Sequence, residues 1–326
     1  MIEFFLFFRK LTLRKIFNFF LNVFFTFLSF LFKRQFAYSM PWSYSIEPTN
    51  ICNLKCRECA SGLGLLKRRR GNMSIEDFKI AADNISPYAL NCFLYFQGEP
   101  FLNKFFFDMV AYANERKIFL ATSTNGHFID YQTAEKTVKS GLDKIIVSLD
   151  GFDQESYSAY RTNGDFNKVI NAVKFLSKAK KNLKKQNPII EVQTIVNKIN
   201  EKKLQEIKKL AFQAGADSFC LKTMQIEKKE DFSKFKTSIE KYSRYDKNNQ
   251  LKNHVKFCKR VLNSAVIDID LNVLPCCYDK DSEFKYGNLK TDSLQSVLKS
   301  KTADMLRQKL LFQQIGCPQM CQNCGG

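Results

Sequence analysis

From residue 44 to about residue 225 the chain alternates short apolar runs with longer amphipathic ones. That rhythm restricts the fold more than any other feature. The strand-like runs are Tyr44–Pro48, Cys92–Gln97, Phe119–Ser123, Lys144–Leu149, Ile189–Val196 and Ser218–Lys222. Helical stretches lie between them at Ser74–Ile85, Lys104–Arg116, Tyr131–Ser140, Phe166–Lys181 and Glu201–Gln213. Ser74 with Asp77 has the form of a helix N-cap, and Gly141 and Gly215 suit helix ends. Strand–helix alternation of this kind builds an α/β fold, a parallel sheet with its helices outside. A closed eight-unit barrel takes about 250 residues, and this region offers about 180. The expectation is an open, partial (βα)6 barrel or a doubly wound sheet.

Beyond it, residues 226–257 are polar and Lys-rich and read as a linker helix. From Cys258 the texture changes to short apolar pieces, with a turn at Asp270–Asn272 and a helical stretch from Asp292 to Gln308. The expected organisation is a Phe-rich segment 1–36, a core 37–225, the linker 226–257 and a C-terminal unit 258–326.

The first 36 residues carry 13 of the 32 phenylalanines. Ile16–Phe32 holds no charge over 17 residues. As a helix that run is about 25 Å long, short of the roughly 30 Å hydrocarbon core. Lys10, Arg14, Asn18, Asn22, Thr26, Ser29 and Lys33 recur at steps of three or four, making one narrow polar stripe opposite a broad Phe/Leu surface. Such an amphipathic helix lies on a membrane surface, aided by Arg9, Lys15 and Arg34, or packs on the protein itself. A membrane span is disfavoured by basic flanks at both ends. A signal peptide is disfavoured by the lack of a small-x-small cleavage site.

Lys and Arg number 51 against 32 Asp and Glu, a net charge of +19. Such an excess suits an anionic partner, and drift toward Lys, Asn, Ile and Phe codons produces it equally well. The eleven cysteines say more. Two tight groups, Cys52/Cys56/Cys59 and Cys317/Cys321/Cys324, stand at opposite ends of the chain, as metal ligands in a reducing compartment do. Scattered disulfides of a secreted scaffold would look different. Cys92 and Cys220, inside apolar runs, read as core residues. His127 and His254 lie away from both groups and read as structural or surface residues.

The segment Glu47-Pro48-Thr49-Asn50-Ile51-Cys52-Asn53-Leu54-Lys55-Cys56-Arg57-Glu58-Cys59 carries the chemistry. Its CxxxCxxC spacing follows the first strand, at the end where barrel enzymes build active sites. A cubane 4Fe–4S cluster needs four ligands, and this loop supplies three. The fourth iron is left open to an exogenous ligand. Zinc is the alternative, but this spacing is unusual for it and no fourth Cys or His lies nearby.

This motif resembles that of the radical S-adenosylmethionine superfamily, whose fold is a partial TIM-like barrel. Further matches follow in order: Gln97-Gly98-Glu99-Pro100 is similar to the family's GGEP turn, with Gln97 in place of the first Gly. Ser123-Thr124-Asn125-Gly126 resembles the TNG turn, and Val147-Ser148-Leu149-Asp150-Gly151 the fourth-strand motif near the ribose. Tyr160-Arg161 and Gly164 resemble the segment that follows. The resemblance covers about residues 44–225. It implies Cys52, Cys56 and Cys59 as catalytic cluster ligands. Gly98, Glu99, Pro100, Ser123, Asn125, Gly126, Ser148 and Asp150 become cofactor-binding residues, with the turn at Gly98 and Glu99 receiving the amino group of S-adenosylmethionine. The family often has an aromatic residue before the third cysteine, where this chain has Glu58.

The C-terminal region resembles the SPASM or twitch extension, which binds auxiliary clusters. Cys258, the hairpin Val266–Asp270 and Val273–Asp279, Gly287-Asn288-Leu289 and the terminal cysteines carry the likeness. One auxiliary 4Fe–4S cluster is implied, held most simply by Cys258, Cys276, Cys321 and Cys324, with Cys317 and Cys277 as further candidates. Zinc remains the alternative for the terminal CxxC.

The implied activity is reductive cleavage of S-adenosylmethionine to a 5′-deoxyadenosyl radical that takes hydrogen from a substrate, with a flavodoxin or ferredoxin as reductant. The substrate is open between a peptide or protein, slightly favoured, and a small, sugar-like or lipid-linked molecule. A non-catalytic iron–sulfur sensor or nucleic-acid binder needs no S-adenosylmethionine pocket, so no nucleic-acid partner is expected. The expected location is cytoplasmic, with peripheral attachment at the inner membrane surface open through residues 1–36.

Overall fold

The computed structural model describes residues 2–253, 255–312 and 318–324. The Phe-rich start forms two helices, α1 (Ile2–Phe8) and α2 (Leu13–Phe32), rather than one continuous helix. The break falls at Thr12, whose extended backbone and hydroxyl cap the N-terminus of α2.

The core follows in regular order: β1 (Ser43–Ile46), α3 (Ile75–Ile85), β2 (Asn91–Phe93), α4 (Phe106–Glu115), β3 (Phe119–Thr124), α5 (Tyr131–Lys139) and β4 (Lys144–Ser148). Then come α6 (Gln154–Tyr160), α7 (Phe166–Asn182), β5 (Ile189–Val196), α8 (Leu204–Ala214) and β6 (Ser218–Thr223). Side-chain caps set the helix starts: Ser74, Asp130, Asp153 and Asp165 each accept a backbone N–H of the first turn. Gly215, at φ +100°, ends α8.

The strands pair in sequential order, β6-β5-β4-β3-β2-β1, every pair parallel. A doubly wound sheet would reverse direction partway, so the fold is the open partial barrel. β2 is shorter than the run Cys92–Gln97 suggests, because residues 94–99 turn out of the sheet to form a loop. Alternate strand residues such as Ile46, Cys92, Leu120, Val147 and Val192 meet the helices in one large core. The intervening residues line the barrel interior, and Cys220, expected in the core, is only half-buried there. At the N-terminal end of the strands α1 closes the barrel: Leu6 packs on Phe119 and Ile189, and Lys144 pairs with Glu3 (3.1 Å) and Glu191 (2.9 Å).

The 226–257 stretch is not a linker helix. It holds 3-10 turns at Lys229–Asp231 and Glu240–Tyr242 and a single turn, α9 (Phe232–Phe235), packed around Tyr160, Phe235 and Tyr245. After α10 (Arg260–Asn263), β7 (Ser264–Ile267) joins the barrel sheet parallel to β1, and β8 (Asn272–Leu274) and β9 (Gly287–Asn288) continue it antiparallel. The helical stretch Asp292–Gln308 is split into α11 (Leu294–Leu298) and α12 (Lys301–Leu311), because Ser300 caps a new helix start. A short turn, α13 (Gln319–Gln322), carries Cys321.

Candidate functional site

Every motif of the core lies at the C-terminal edge of the strands, the edge where loops of such barrels meet. The loop after β1 leaves at Glu47 and returns at Met73. Asn50, fully buried, ties its limbs together: it donates to the Arg69 carbonyl (2.8 Å) and accepts from the Gly71 N–H (2.9 Å). Its own carbonyl accepts the Ser61 hydroxyl (2.7 Å). The 52–59 turn is pinned from the other side, where Lys55 and Arg57 donate backbone N–H groups to the carbonyls of Thr162 and Tyr160.

Cys52, Cys56 and Cys59 are free thiols, and each has a donor aimed at its sulfur. Leu54 N–H reaches Cys52 Sγ (3.5 Å), Gly62 N–H reaches Cys59 Sγ (3.4 Å) and Arg161 Nη1 reaches Cys56 Sγ (3.8 Å). Donors of this kind stabilise ligating thiolates. Burial pushes the Cys52 thiol up to about 11 and raises Cys56 as well. A bound metal would make the Cys52 and Cys56 sulfurs thiolates, with release of their protons. Among the described residues no three Cys, His, Asp or Glu side chains converge on a single ion.

The Gly98-Glu99-Pro100 turn packs directly on this loop. Gly98 has φ +75°, and a Cβ there would stand 2.6 Å and 2.7 Å from the carbonyl oxygens of Thr49 and Ile51. Only glycine allows that approach. Glu99 N–H donates to Ile51 O (2.8 Å), and buried Pro100 opens a 3-10 turn. The Glu99 carboxylate is already engaged: it accepts from Thr124 Oγ1 (2.7 Å) and from Asn125 N–H (2.8 Å). Burial raises it to about 7 against these two bonds. Its side chain thus holds the Thr124-Asn125-Gly126 turn in place. Gly126 is also left-handed, at φ +80°. Asn125 Nδ2 closes the circuit on Asn53 Oδ1 (2.7 Å), next to Cys52. The cysteine loop, the GEP turn and the TNG turn are one hydrogen-bonded unit.

Ser123 and Ser148 are half-buried on the inner face, paired in register with Ile146 and Gln193. Asp150 is fully buried and does not face open space. Its carboxylate accepts from Arg161 Nε (2.6 Å) and from Ile195 N–H (2.6 Å), so it aims Arg161 at Cys56. Glu58, in the position where the family often has an aromatic residue, accepts the backbone N–H of Glu227 (2.8 Å), and burial lifts it to about 7. His127 is structural: its Nε2 accepts from Asp165 N–H (2.7 Å) and burial lowers its pKa.

In the C-terminal region burial raises the thiols of Cys258 and Cys276, and nearby Cys324 adds to the first while Cys277 and Cys258 add to the second. Cys321 packs in the same apolar cluster as Cys258. Tyr278 N–H supplies Cys276 Sγ (3.4 Å), and Arg260 Nη1 supplies exposed Cys277 (3.3 Å). Cys317 and His254 lie outside the described residues.

Two further residues join the centres. Glu47 is buried at the end of β1, and Arg68 meets it with two bonds of 2.6 Å. Glu47 also accepts from Gln97 N–H (3.2 Å) and Ile269 N–H (3.3 Å), while Arg68 Nε donates to Lys280 O (2.7 Å). Arg69 pairs with Asp270. The run Lys67–Arg70 looks like a solvated charge patch in sequence, and no local signal separates its buried member from the rest. Arg161 was visible only as a weak match, without its ties to Asp150 and Cys56.

The comparisons agree with this geometry. The Radical SAM superfamily profile matches residues 46–211, just over half of the chain, and a profile for the SPASM iron–sulfur cluster-binding domain matches residues 258–325. The mycofactocin maturase MftC of Mycolicibacterium smegmatis is 30% identical over 170 residues, 52% of this chain and 41% of that protein. The AdoMet-dependent heme synthase of Nitratidesulfovibrio vulgaris is 25% identical over 171 residues, 52% of this chain and 44% of that protein. The matched stretch thus spans less than half the length of these curated relatives. Among solved structures, Streptococcus suis SuiB bound to S-adenosylmethionine superposes with a TM-score of 0.65 at 16% identity, covering 88% of this chain and 72% of that one. BtrN in complex with AdoMet and 2-DOIA gives 0.55 at 17% identity, covering 88% and 94%. The partial barrel with its thiol loop and the C-terminal cysteine domain have one common reading: this chain belongs to the radical SAM superfamily, an enzyme of the SPASM-bearing kind whose cofactors are a 4Fe–4S cluster, S-adenosylmethionine and auxiliary iron–sulfur.

Proposed function

We infer that the chain catalyses a two-electron oxidation begun by hydrogen-atom abstraction in the barrel mouth. The observation that carries this is the clamp between the two cysteine centres: Glu47 and Arg68 fix the 52–59 loop to the domain holding Cys258, Cys276, Cys321 and Cys324. When bound, the loop cluster and S-adenosylmethionine supply one electron and the hydrogen-abstracting radical. The residues of the chain do the rest. The Gly98 turn and the Thr124–Gly126 turn shape the cofactor seat, and Asp150 with Arg161 keeps a cation beside Cys56. Ser45, Ser123, Ser148 and Gln193 give the inner wall polar groups to orient a substrate. The C-terminal cysteines would hold the acceptor of the second electron. A flavodoxin- or ferredoxin-type protein of the cytoplasm is the reductant in this reading.

Anaerobic reconstitution with iron and sulfide, then dithionite and S-adenosylmethionine, tests it by mass spectrometry of 5′-deoxyadenosine. Wild type should form it and a Cys52/Cys56/Cys59 triple Ala variant should not. Replacement of Cys321 and Cys324 by Ala should spare cofactor cleavage and abolish the oxidised product. Normal yields of both would remove the acceptor role.

A second reading, modification of a peptide, is favoured by SuiB bound to its precursor peptide SuiA and by the maturase name among the relatives. Coexpression with a candidate peptide and a search for loss of two hydrogens by mass separates it.

A further inference from the structure

The N-terminal helix is packed inside out. Its polar residues face the enzyme: Asn18 and Asn22 donate to Met40 O (3.0 and 3.2 Å), and Asn22 also to Leu262 O (3.0 Å). Thr26 bonds Asn263 Oδ1 (3.0 Å), and Ser29 Oγ accepts Phe36 N–H (2.9 Å). The outward ridge is Leu13, Phe17, Phe20, Phe24, Phe27 and Leu31, each 54–87% exposed. Phe4, Phe5 and Phe8 of α1 extend it. A helix on an aqueous surface shows the opposite pattern, and an apolar patch of this extent marks an interaction surface.

A bilayer surface fits this ridge better than a protein does. The outward side chains offer no polar atom to pair with a protein's rim. Exposed cations stand at both ends of α2, Arg9 before it and Lys33 and Arg34 after it, as anionic headgroups require of an in-plane helix. A span is ruled out for the folded chain, since the polar stripe is bonded to backbone and side-chain groups of residues 40, 262 and 263.

Directly behind α2 lies a mostly apolar cavity of about 470 Å³. Two of its walls touch α2: Trp42 meets Phe19 edge-on (5.6 Å) and Phe257 meets Phe30 (5.4 Å). Cys258, Cys277 and Cys324 also line it, so the part beside them belongs to the cluster they would hold, and the remainder is walled by Trp42, Phe93, Phe96 and Phe257. We propose that α2 seats the enzyme in the headgroup region of an anionic leaflet, and that this cavity holds the hydrocarbon part of an amphiphilic substrate taken from that leaflet. Only the chemistry done on that substrate rests on the hydrogen-abstraction reading; the seat and the cavity do not.

The test uses the reconstituted enzyme. First, it is sedimented with phosphatidylcholine vesicles with and without phosphatidylglycerol, beside a Phe17/Phe20/Phe24/Phe27→Ser variant of equal iron content. The wild type should pellet with the anionic vesicles, and the variant should bind at least about tenfold more weakly. Equal binding by both, or no binding by the wild type, overturns the seat. Second, Trp42 is the sole tryptophan, so its fluorescence reports on the cavity. Monomeric bromododecanoate without vesicles should quench it saturably, in wild type and in the four-Ser variant alike, and plain dodecanoate should restore it. Quenching that never saturates and is not competed overturns the cavity limb. Formation of 5′-deoxyadenosine, assayed in parallel, reports separately on the hydrogen-abstraction reading.

Discussion

Removing the Arg68 guanidinium should cost the fold more than any exposed charge change, and by a pH-dependent amount. The Glu47 side chain is 0% exposed and that of Arg68 9%, and two bonds of 2.6 Å join them. Arg68→Ala leaves a buried carboxylate with only two backbone N–H groups, from Gln97 and Ile269, as donors. Breaking a buried pair by deleting one partner costs about 3–5 kcal/mol. At about 2 °C per kcal/mol, the low end for a chain this large, the midpoint temperature should fall on the order of 5–10 °C. Burial already raises the Glu47 pKa and Arg68 is the main force pulling it back, so in the variant it rises further. A carboxyl whose folded pKa lies above its unfolded value keeps its stabilisation at low pH and loses it as pH climbs through the folded value. The loss in Arg68→Ala should therefore be smaller at pH 5 than at pH 8. Adding Glu47→Gln should recover part of it by removing the orphaned charge. Calorimetry of wild type, Arg68→Ala, Glu47→Gln and the double variant at both pH values is the assay, read as midpoint differences because a multi-centre protein need not unfold in one step. A drop under about 2 °C, or a loss equal at both pH values and untouched by Glu47→Gln, would refute the reasoning.

Three other outcomes follow from the same site. Gly98→Ala must place a side chain at φ +75° against two carbonyl oxygens, so we expect a loss of about 2 kcal/mol or more by denaturation and no 5′-deoxyadenosine; retained activity would mean the turn is looser than it looks. Glu99, held near 7 by burial, keeps a proton that the unfolded chain has already lost above about 4.3, so metal-free protein should lose stability as pH rises from 5 to 7. Glu99→Gln should gain on wild type over that window, and parallel curves would contradict it. Asp150→Asn strips the buried counter-ion from Arg161, and we expect about 3 kcal/mol of destabilisation and lower iron retention, checked by denaturation and by iron analysis after gel filtration. Unchanged iron would dissociate Arg161 from the Cys56 ligand.

What could be read in the sequence was local. β5 was legible to the residue because Ile189–Val196 is a short run rich in β-branched residues, and from Ile190 onward its side chains alternate buried and half-buried. The helix caps at Ser74 and Gly215 and the CxxxCxxC, GEP and TNG motifs were legible for the same reason, since their chemistry depends on neighbours a few residues away. Apart from the new helix starts at Thr12 and Ser300, the failures were long-range. Residues 226–257 have helix-forming composition, yet they follow the surface around Tyr160 and Tyr245 in short turns, because packing against that cluster outweighs propensity.

The spacing of cysteines, the strand–helix rhythm and the polar stripe of α2 were therefore determined by the sequence alone. Only the tertiary structure decided that the stripe turns inward and the phenylalanines outward, because its partners, Met40, Leu262 and Asn263, include residues about 240 positions away. It also decided that Arg68 rather than Arg69 or Arg70 is buried on Glu47, and that the Glu99 and Asp150 carboxylates spend themselves on holding Asn125 and Arg161. Periodicity states which faces a segment has; which face is covered depends on what the rest of the chain brings against it.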